Sequence, residues 1–359
     1  VDKVSFSLAV FLIFIGAMLV LSASPSAAHR DRLADDFAFI KKQGVFIFMG
    51  LVLMIGVSMQ SLRTIRRLAV FGFLCAFAGV VLTYVVGDAT KGAARWIKFA
   101  GFSLQPSEFI KPVFIVVTAW LLDANKRIED FPGMTLAVGL FLLTALSVFG
   151  QPDLGMTVLI SGVWALQMVW AGIPVWLIMT LFSAGLVLVT GSYFFLAHVR
   201  DRIDRFLASE NEIGSQIQKS MDAFANGNLL GRGPGEGYVK MTLPDVHTDF
   251  IFALAGEECG VWLTTIIVAA FAAIVVRSMT LSMRDNNLFV MYAASGLAAS
   301  LGGQAIVNMC SALQLMPAKG MTLPFVSYGG SSMLASCLAM GMLLAITRKN
   351  AAAEDKDNG

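Results

Sequence analysis

Asp245, His247 and Asp249 fall within five residues, beside Pro244 and directly ahead of a long apolar run. A carboxylate at the mouth of a membrane helix is costly unless it is paired or used. Asp249 is therefore a candidate general base, able to take the proton of an alcohol and sharpen it as a nucleophile. The competing reading is structural, because a carboxylate at a helix N-cap satisfies free N–H groups. His247 with the two aspartates also offers ligands to an ion. With 3 histidines in the chain, a hard cation suits that set better than zinc. About two turns into the apolar run come Glu257 and Glu258, one of which should face a partner or a water-filled cavity.

Glu108 and Lys111 lie three residues apart on one helical face and can pair. Either they form a structural ion pair, or Lys111 neutralises an anionic ligand while Glu108 holds it. Around them, segment 91–111 interleaves Lys91, Arg95 and Lys98 with Trp96 and Phe99. Such a mixture suits a lipid headgroup phosphate, and equally suits plain interfacial anchoring. Gln151-Pro152-Asp153 reads as a tight turn with Asp153 capping the next helix. In 231–240, glycines alternate around Pro234 and Glu236, without the G-K-[ST] ending of a phosphate loop. Such backbone can approach a ligand closely, but taken alone the stretch reads as a flexible loop. Segment 316–332 is polar and turn-rich and holds Lys319, Ser327, Tyr328 and Ser331. Its freed backbone groups must be met by neighbouring helices or a ligand.

The elements that must position these residues are membrane helices. The 359 residues are 57% apolar and 14% charged, with a mean hydropathy of +0.74 and a net charge of +2. Soluble domains carry about 25% charge, so a cytosolic enzyme, a nucleic-acid binder and a disordered scaffold are excluded. The 4 cysteines (Cys75, Cys259, Cys310, Cys337) lack metal or disulfide spacing and read as small core residues. Ten apolar runs predict an all-α polytopic membrane protein: 5–22, 44–59, 68–87, 107–122, 134–150, 154–171, 174–198, 250–276, 288–309 and 328–347. A large extracytoplasmic loop, 199–249, joins the seventh and eighth, and the whole chain 1–359 reads as one integral membrane domain. No signal peptide is visible, and a start at Val1 implies that some N-terminal sequence is absent.

With cytoplasmic termini, the inner segments hold 11 basic residues in about 50, against 15 in about 115 outside, so the density of positive charge favours this orientation. The outer segments 23–43, 88–106, 199–249 and 310–327 then hold most loop prolines, glycines, acids and histidines. The working face is extracytoplasmic, out of reach of ATP and nucleotide sugars. An outer cavity with cations, an exposed acid and glycine-rich backbone beside apolar helices suits a substrate with an isoprenoid tail, a phosphate linker and a polar head.

The strings GAARWIKFAGFSLQPSEFIK, QPDLGMTVL, NGNLLGRGPGEGYVKMTLPDVHTDFIFALAGEECG and MPAKGMTLPFVSYGGSSMLA resemble the SEDS family of bacterial cell-wall polymerases. The resemblance runs from about residue 5 to 347 with the same ten-span layout. GRGPGEG and PAKGMTLPFVSYGGSS look more like the division member, whereas Gln151-Pro152-Asp153-Leu154 is closer to the elongation member. The resemblance implies a peptidoglycan glycosyltransferase of the bacterial inner membrane, acting at the division septum. It would polymerise lipid II on the outer face and release undecaprenyl pyrophosphate. The essential acid of the family's HTDF string falls on Asp249. Arg95, Gln105, Glu108, Lys111, Ser327 and Ser331 match other positions on which the family depends. His247 and Lys319 join this set as candidate substrate contacts, and a divalent cation such as Mg²⁺ is a candidate helper. Implied partners are a class B penicillin-binding transpeptidase, the divisome activator complex and membrane lipid, with no nucleic acid. A lipid flippase and a non-catalytic scaffold are the rival readings. Polar residues clustered at one face, with no internal repeat, favour an enzyme over a transporter.

Overall fold

The computed structural model describes residues 2–348 apart from 31–34, 87, 91–92, 100–101, 152, 196, 198–199, 202–203, 205–211 and 317–319. Long helices occupy all ten apolar runs: α1 (Lys3–Arg30), α2 (Ala38–Ser58), α3 (Leu62–Val86), α4 (Pro106–Arg127), α5 (Gly133–Gly150), α6 (Leu154–Trp170), α7 (Val175–Phe195), α9 (Ile251–Met283), α10 (Leu288–Ala312) and α11 (Gly330–Ile346). Six of them (α1, α2, α3, α5, α9 and α10) are long and apolar enough to cross a membrane. Three of the others fall short for visible reasons. α6 and α11 have 17 residues each, and α4 carries Glu108, Lys111, Asp123, Lys126 and Arg127 along its length.

Burial explains how a helix that polar can sit in the bundle. α4 is enclosed along nearly its whole length, from Pro106 to Ala124, and its neighbours are α3, α5, α10 and α11. Its charged groups are therefore met by protein. α2, α3 and α5 show the opposite pattern, with Phe48, Phe71 and Leu146 each at least 67% exposed. In water such a surface would aggregate; in a bilayer it faces the acyl chains.

Two segments depart from the all-α expectation. Residues 88–104 form a three-stranded antiparallel sheet, β1 (Asp88–Thr90), β2 (Ala93–Phe99) and β3 (Phe102–Leu104). Hairpin pairing satisfies the backbone of a segment too short and too polar for another span. The outer loop likewise contains a helix, α8 (Glu212–Gly227), which packs on α9 and α10. Its Ser220 hydroxyl donates to the carbonyl of Ala312, 2.7 Å away. α1 also runs eight residues beyond its expected end, through Pro25 to Arg30, so much of the expected loop 23–43 is helical.

α1 and α9 are tied at both ends. Arg277 donates two hydrogen bonds to Asp2 (2.6 and 2.7 Å), and Ser22 donates to Glu258 (2.5 Å). The ties stand twenty residues apart on the α1 side and nineteen on α9. At about 1.5 Å per residue that spacing is close to the ~30 Å of a hydrocarbon core. The outer tie stands beside Gly260, where the backbone of α9 leaves helical geometry.

Candidate active site

The site is assembled where β3, the start of α4, the middle of α10 and the two loops leading into α9 and α11 meet. Gln105 is the N-cap of α4, with Pro106 at the first helical position. The Gln105 backbone N–H donates to Ser331 Oγ (2.9 Å) and its side chain donates to Ser107 (3.2 Å). One turn later, Lys111 donates to Glu108 at 2.7 Å, as the spacing predicts, with both side chains at most 8% exposed. The same ammonium donates to Gln304 of α10. Gln304 donates onward to the carbonyl of Thr322 (3.0 Å), and the hydroxyls of Thr322 and Ser332 lie 2.6 Å apart. Asn308, one turn further along α10, donates to the carbonyls of Met321 (2.7 Å) and Asp249 (2.9 Å).

Asp249 therefore sits in a tied segment. Its N–H, with those of Thr248 and Phe250, converges on the carbonyl of Asp245, which adopts a left-handed φ of 53°. Ser327 donates to the carbonyl of Thr248 (2.5 Å), and the Tyr328 N–H donates to the carbonyl of His247 (2.8 Å). The His247 ring is buried against Phe39 and Tyr328, with ring centroids 4.5 and 5.4 Å away. Asp249 is half-buried. Its Oδ2 lies 3.4 Å from where a Cβ on Gly320 would stand, so the chain just before α11 walls the carboxylate. The helix-capping alternative is overturned: Phe250 is the N-cap of α9 and no side chain caps it.

The glycine-rich stretch is neither a free loop nor a ligand cradle. α9 breaks at Gly260 (φ 76°, ψ −172°), which strips the carbonyls before it of helical partners. The loop supplies them: Arg232 N–H donates to Glu257 O (3.0 Å), Gly233 N–H to Glu258 O (2.9 Å), and Val261 N–H to Asn228 O (3.1 Å). A Cβ at Gly227, Gly231 or Gly260 would collide with the opposing backbone. The side chains of both glutamates grip the same loop, and Glu258 faces a charged partner, Lys240, as one of the two was expected to. Glu257 accepts from the N–H groups of Tyr238 and Val239 (2.8 and 3.0 Å). Glu258 accepts from Gly235 N–H (3.0 Å), Lys240 (2.9 Å) and Ser22. Arg30, at the end of α1, donates to the carbonyls of Lys240, Met241 and Leu243.

Of the remaining sequence-predicted residues, Arg95 of β2 points to Asp153 (3.3 Å) and donates to the Gln151 carbonyl (3.0 Å). Asp153 also caps α6, as expected, accepting from Met156 N–H (3.1 Å). Lys91, Pro152 and Lys319 lie outside the described residues. Asp245, His247 and Asp249 do not gather as ligands; among the described residues no group of three His, Cys, Asp or Glu could hold an ion. The cysteines are all free. Sequence reasoning missed Gln304, Asn308, Thr322 and the Lys240–Glu258–Ser22 cluster. The signal for the first two was present: buried carboxamides four residues apart in an apolar run are polar groups in a membrane helix, which must be used.

The arrangement offers a half-buried carboxylate fixed through its own peptide, beside Gly320, with a buried ammonium linked to it through α10. Known proteins resemble the chain over nearly its full length. A probable peptidoglycan glycosyltransferase FtsW from Caulobacter vibrioides is 41% identical over 338 residues, covering 94% of this chain and 87% of that one. Its namesake from Geobacter metallireducens is 36% identical over 361 residues, covering 97% and 95%. Among solved structures, one chain of a peptidoglycan synthase complex, solved for the structural coordination of polymerization and crosslinking, matches with a TM-score of 0.81 at 26% identity, covering 97% of this chain and 98% of that one. The rod shape determining protein RodA of Thermus thermophilus matches at 0.71 and 25% identity, covering 97% of each. With residues 2–352 matching the family's sequence model, the chain belongs to the FtsW, RodA and SpoVE family of cell cycle proteins.

Proposed function

We propose that this protein is a peptidoglycan glycosyltransferase that polymerises lipid II on the outer face of the bacterial inner membrane during septal wall synthesis. The observation that carries the reading is the tied Asp249 carboxylate, in a chain 41% identical over 94% of its length to a probable enzyme of that activity. The curated relatives named above are FtsW proteins, which supports division over elongation. In this reading the ten long helices all span the membrane and both termini are cytoplasmic.

In mechanism, Asp249 accepts the proton of the acceptor sugar's 4-hydroxyl. That oxygen attacks the donor anomeric carbon from the face opposite the phosphate, the anomeric C–O bond breaks, and undecaprenyl pyrophosphate leaves with the electron pair. One base and a good leaving group suffice for inversion without a covalent sugar–enzyme intermediate (compare the carboxylate logic of glycosidases). Lys111, Arg95 and Lys319 balance the pyrophosphate charge, and His247, Gln105, Ser327 and Ser331 shape the rim of the site. Lys111 is presented by Glu108 and Gln304, and Arg95 by Asp153, so each cation is pre-aimed. The match to a chain of a synthase complex supports a class B transpeptidase partner, and the septal role implies the divisome activator.

The test is a gel assay on labelled lipid II, with the protein in complex with its transpeptidase. Wild type should give glycan ladders, and Asp249→Asn, with unaltered folding and partner binding, should lose about 10²–10⁴ in rate. Equal ladders from both would remove Asp249 from the chemistry. No ladder from wild type would return weight to a flippase or scaffold.

A further inference from the structure

Two buried side chains of α10 touch neither sugar nor phosphate in this mechanism. Gln304 and Asn308 stand four residues apart on one face of the helix, at 3% and 1% exposure. A carboxamide buried in a bundle is costly unless its groups are engaged; the amide nitrogens of these two are engaged on the two halves of the site, while Asn308 Oδ1 is buried without a partner. Gln304 accepts from the Lys111 ammonium and donates to the Thr322 carbonyl (3.0 Å). The Asn308 amide donates to two carbonyls at once, those of Met321 (2.7 Å) and Asp249 (2.9 Å). The second of these belongs to the peptide of the acid itself. The first belongs to the neighbour of Gly320, which walls the Asp249 carboxylate.

We propose that Gln304 and Asn308 are positioning residues, and that α10 serves as the gauge that fixes the separation between Asp249 and the Glu108–Lys111 pair. The inference rests on Asp249 being the general base. Proton abstraction needs the carboxylate within about 2.6–3.2 Å of the hydroxyl. A displacement of about 1 Å can cost on the order of a hundredfold in rate. Asp249 lies on a turn that leads into a helix with no side-chain cap, and its peptide is held from α10 by Asn308. The Asn308 amide is buried on two backbone carbonyls, so its removal should disturb turnover and leave substrate affinity nearly intact.

The experiment uses the full chain in complex with its transpeptidase and labelled lipid II, with wild type, Asp249→Asn, Asn308→Leu, Asn308→Ala and Gln304→Leu side by side. Leucine keeps the branched shape of asparagine, with bulkier end groups, and removes both donors. Asn308→Leu should lower kcat by about 10- to 100-fold with KM within about threefold, and Asn308→Ala should match it. A packing role predicts instead that Asn308→Leu keeps kcat within about twofold while Asn308→Ala loses it, and that result would overturn the proposal. Should Asn308→Leu fail to fold, Gln304→Leu reads the same gauge at its other end: a roughly tenfold or greater fall in kcat supports it, and unchanged turnover sinks it. The functional reading fails separately. If wild type polymerises and Asp249→Asn does so equally, Asp249 is no base. If wild type polymerises, Asp249→Asn does not and the α10 variants match wild type, only the gauge is wrong.

Discussion

A buried lysine ammonium is costly unless each of its protons meets an acceptor, and Lys240 has three acceptors. It is 6% exposed and donates to Glu258, Ser22 and the carbonyl of Gly235. Removing one partner of such a buried pair strands the other, so Lys240→Met or Glu258→Gln should each destabilise the protein by about 3–5 kcal/mol. The double substitution should recover most of that loss, because no charge is then left stranded. Thermal unfolding of the three variants in detergent checks this; a double variant as unstable as the sum of the singles would contradict it. Residues of this sort were only partly legible in the sequence. Asp249, the Glu108–Lys111 pair and the Asp153 cap could be read because each is defined by neighbours within four positions. Ser22 and Glu258 are 236 positions apart, and nothing local to either marks the other.

At the scale of elements, the outer third of α9 is a broken helix splinted by the loop that precedes it. The sequence offers a dense run of glycines, which reads equally well as a flexible tether or a ligand-binding loop; only the break at Gly260 gives the run its partner. Gly260→Ala should be costly, since alanine at φ 76° is strained by about 1–2 kcal/mol and its Cβ would strike the Leu229 carbonyl. Each loop hydrogen bond displaced adds about 0.5–1.5 kcal/mol. A loss above about 2 kcal/mol is therefore expected, with faster proteolytic cutting at 232–237. Gly44→Ala is the control: it is helical, a Cβ there would meet nothing within 4 Å, and both readouts should stay unchanged. The small sheet at 88–104 was hidden for a related reason. AARWIKF mixes cations with aromatics at a membrane edge, a composition shared by interfacial anchors, and its strand pairing depends on a turn rather than on alternation.

Over the whole molecule, the ten apolar runs were legible because hydropathy alone decides them, while their ends were not. A helix outlasts its apolar core where protein, rather than lipid, surrounds the extra turns, as at Ala23–Ala28 of α1. The inner tie between these helices can be tested by pH. Burial alone would raise the Asp2 carboxyl, but hydrogen bonds from Arg277 and Ser5 and the charge of Arg277 outweigh it and hold the pKa at about 2, below its usual 3.8. A depressed carboxylate stabilises the fold above the unfolded pKa, and that contribution is lost as pH falls from about 4 towards about 2. Wild type should therefore unfold at a higher temperature than Asp2→Asn at pH ~7, with the gap closing below pH ~4. A gap independent of pH would rule out the ion pair as its source.

The tied segment around Asp249 also imposes an order on biosynthesis. The groups that hold it come from opposite ends of the chain: Arg30 grips the loop that leads to it, and Asn308, Ser327 and Tyr328 grip its backbone. A ribosome delivers these groups hundreds of residues apart in time, and the acid's own loop is made long before the last of them arrives. A nascent chain that has not yet presented Tyr328 thus carries the acid without the scaffold that aims it. Half-made copies hold an unaimed carboxylate, and only the late arrival of Ser327 and Tyr328 completes its mooring.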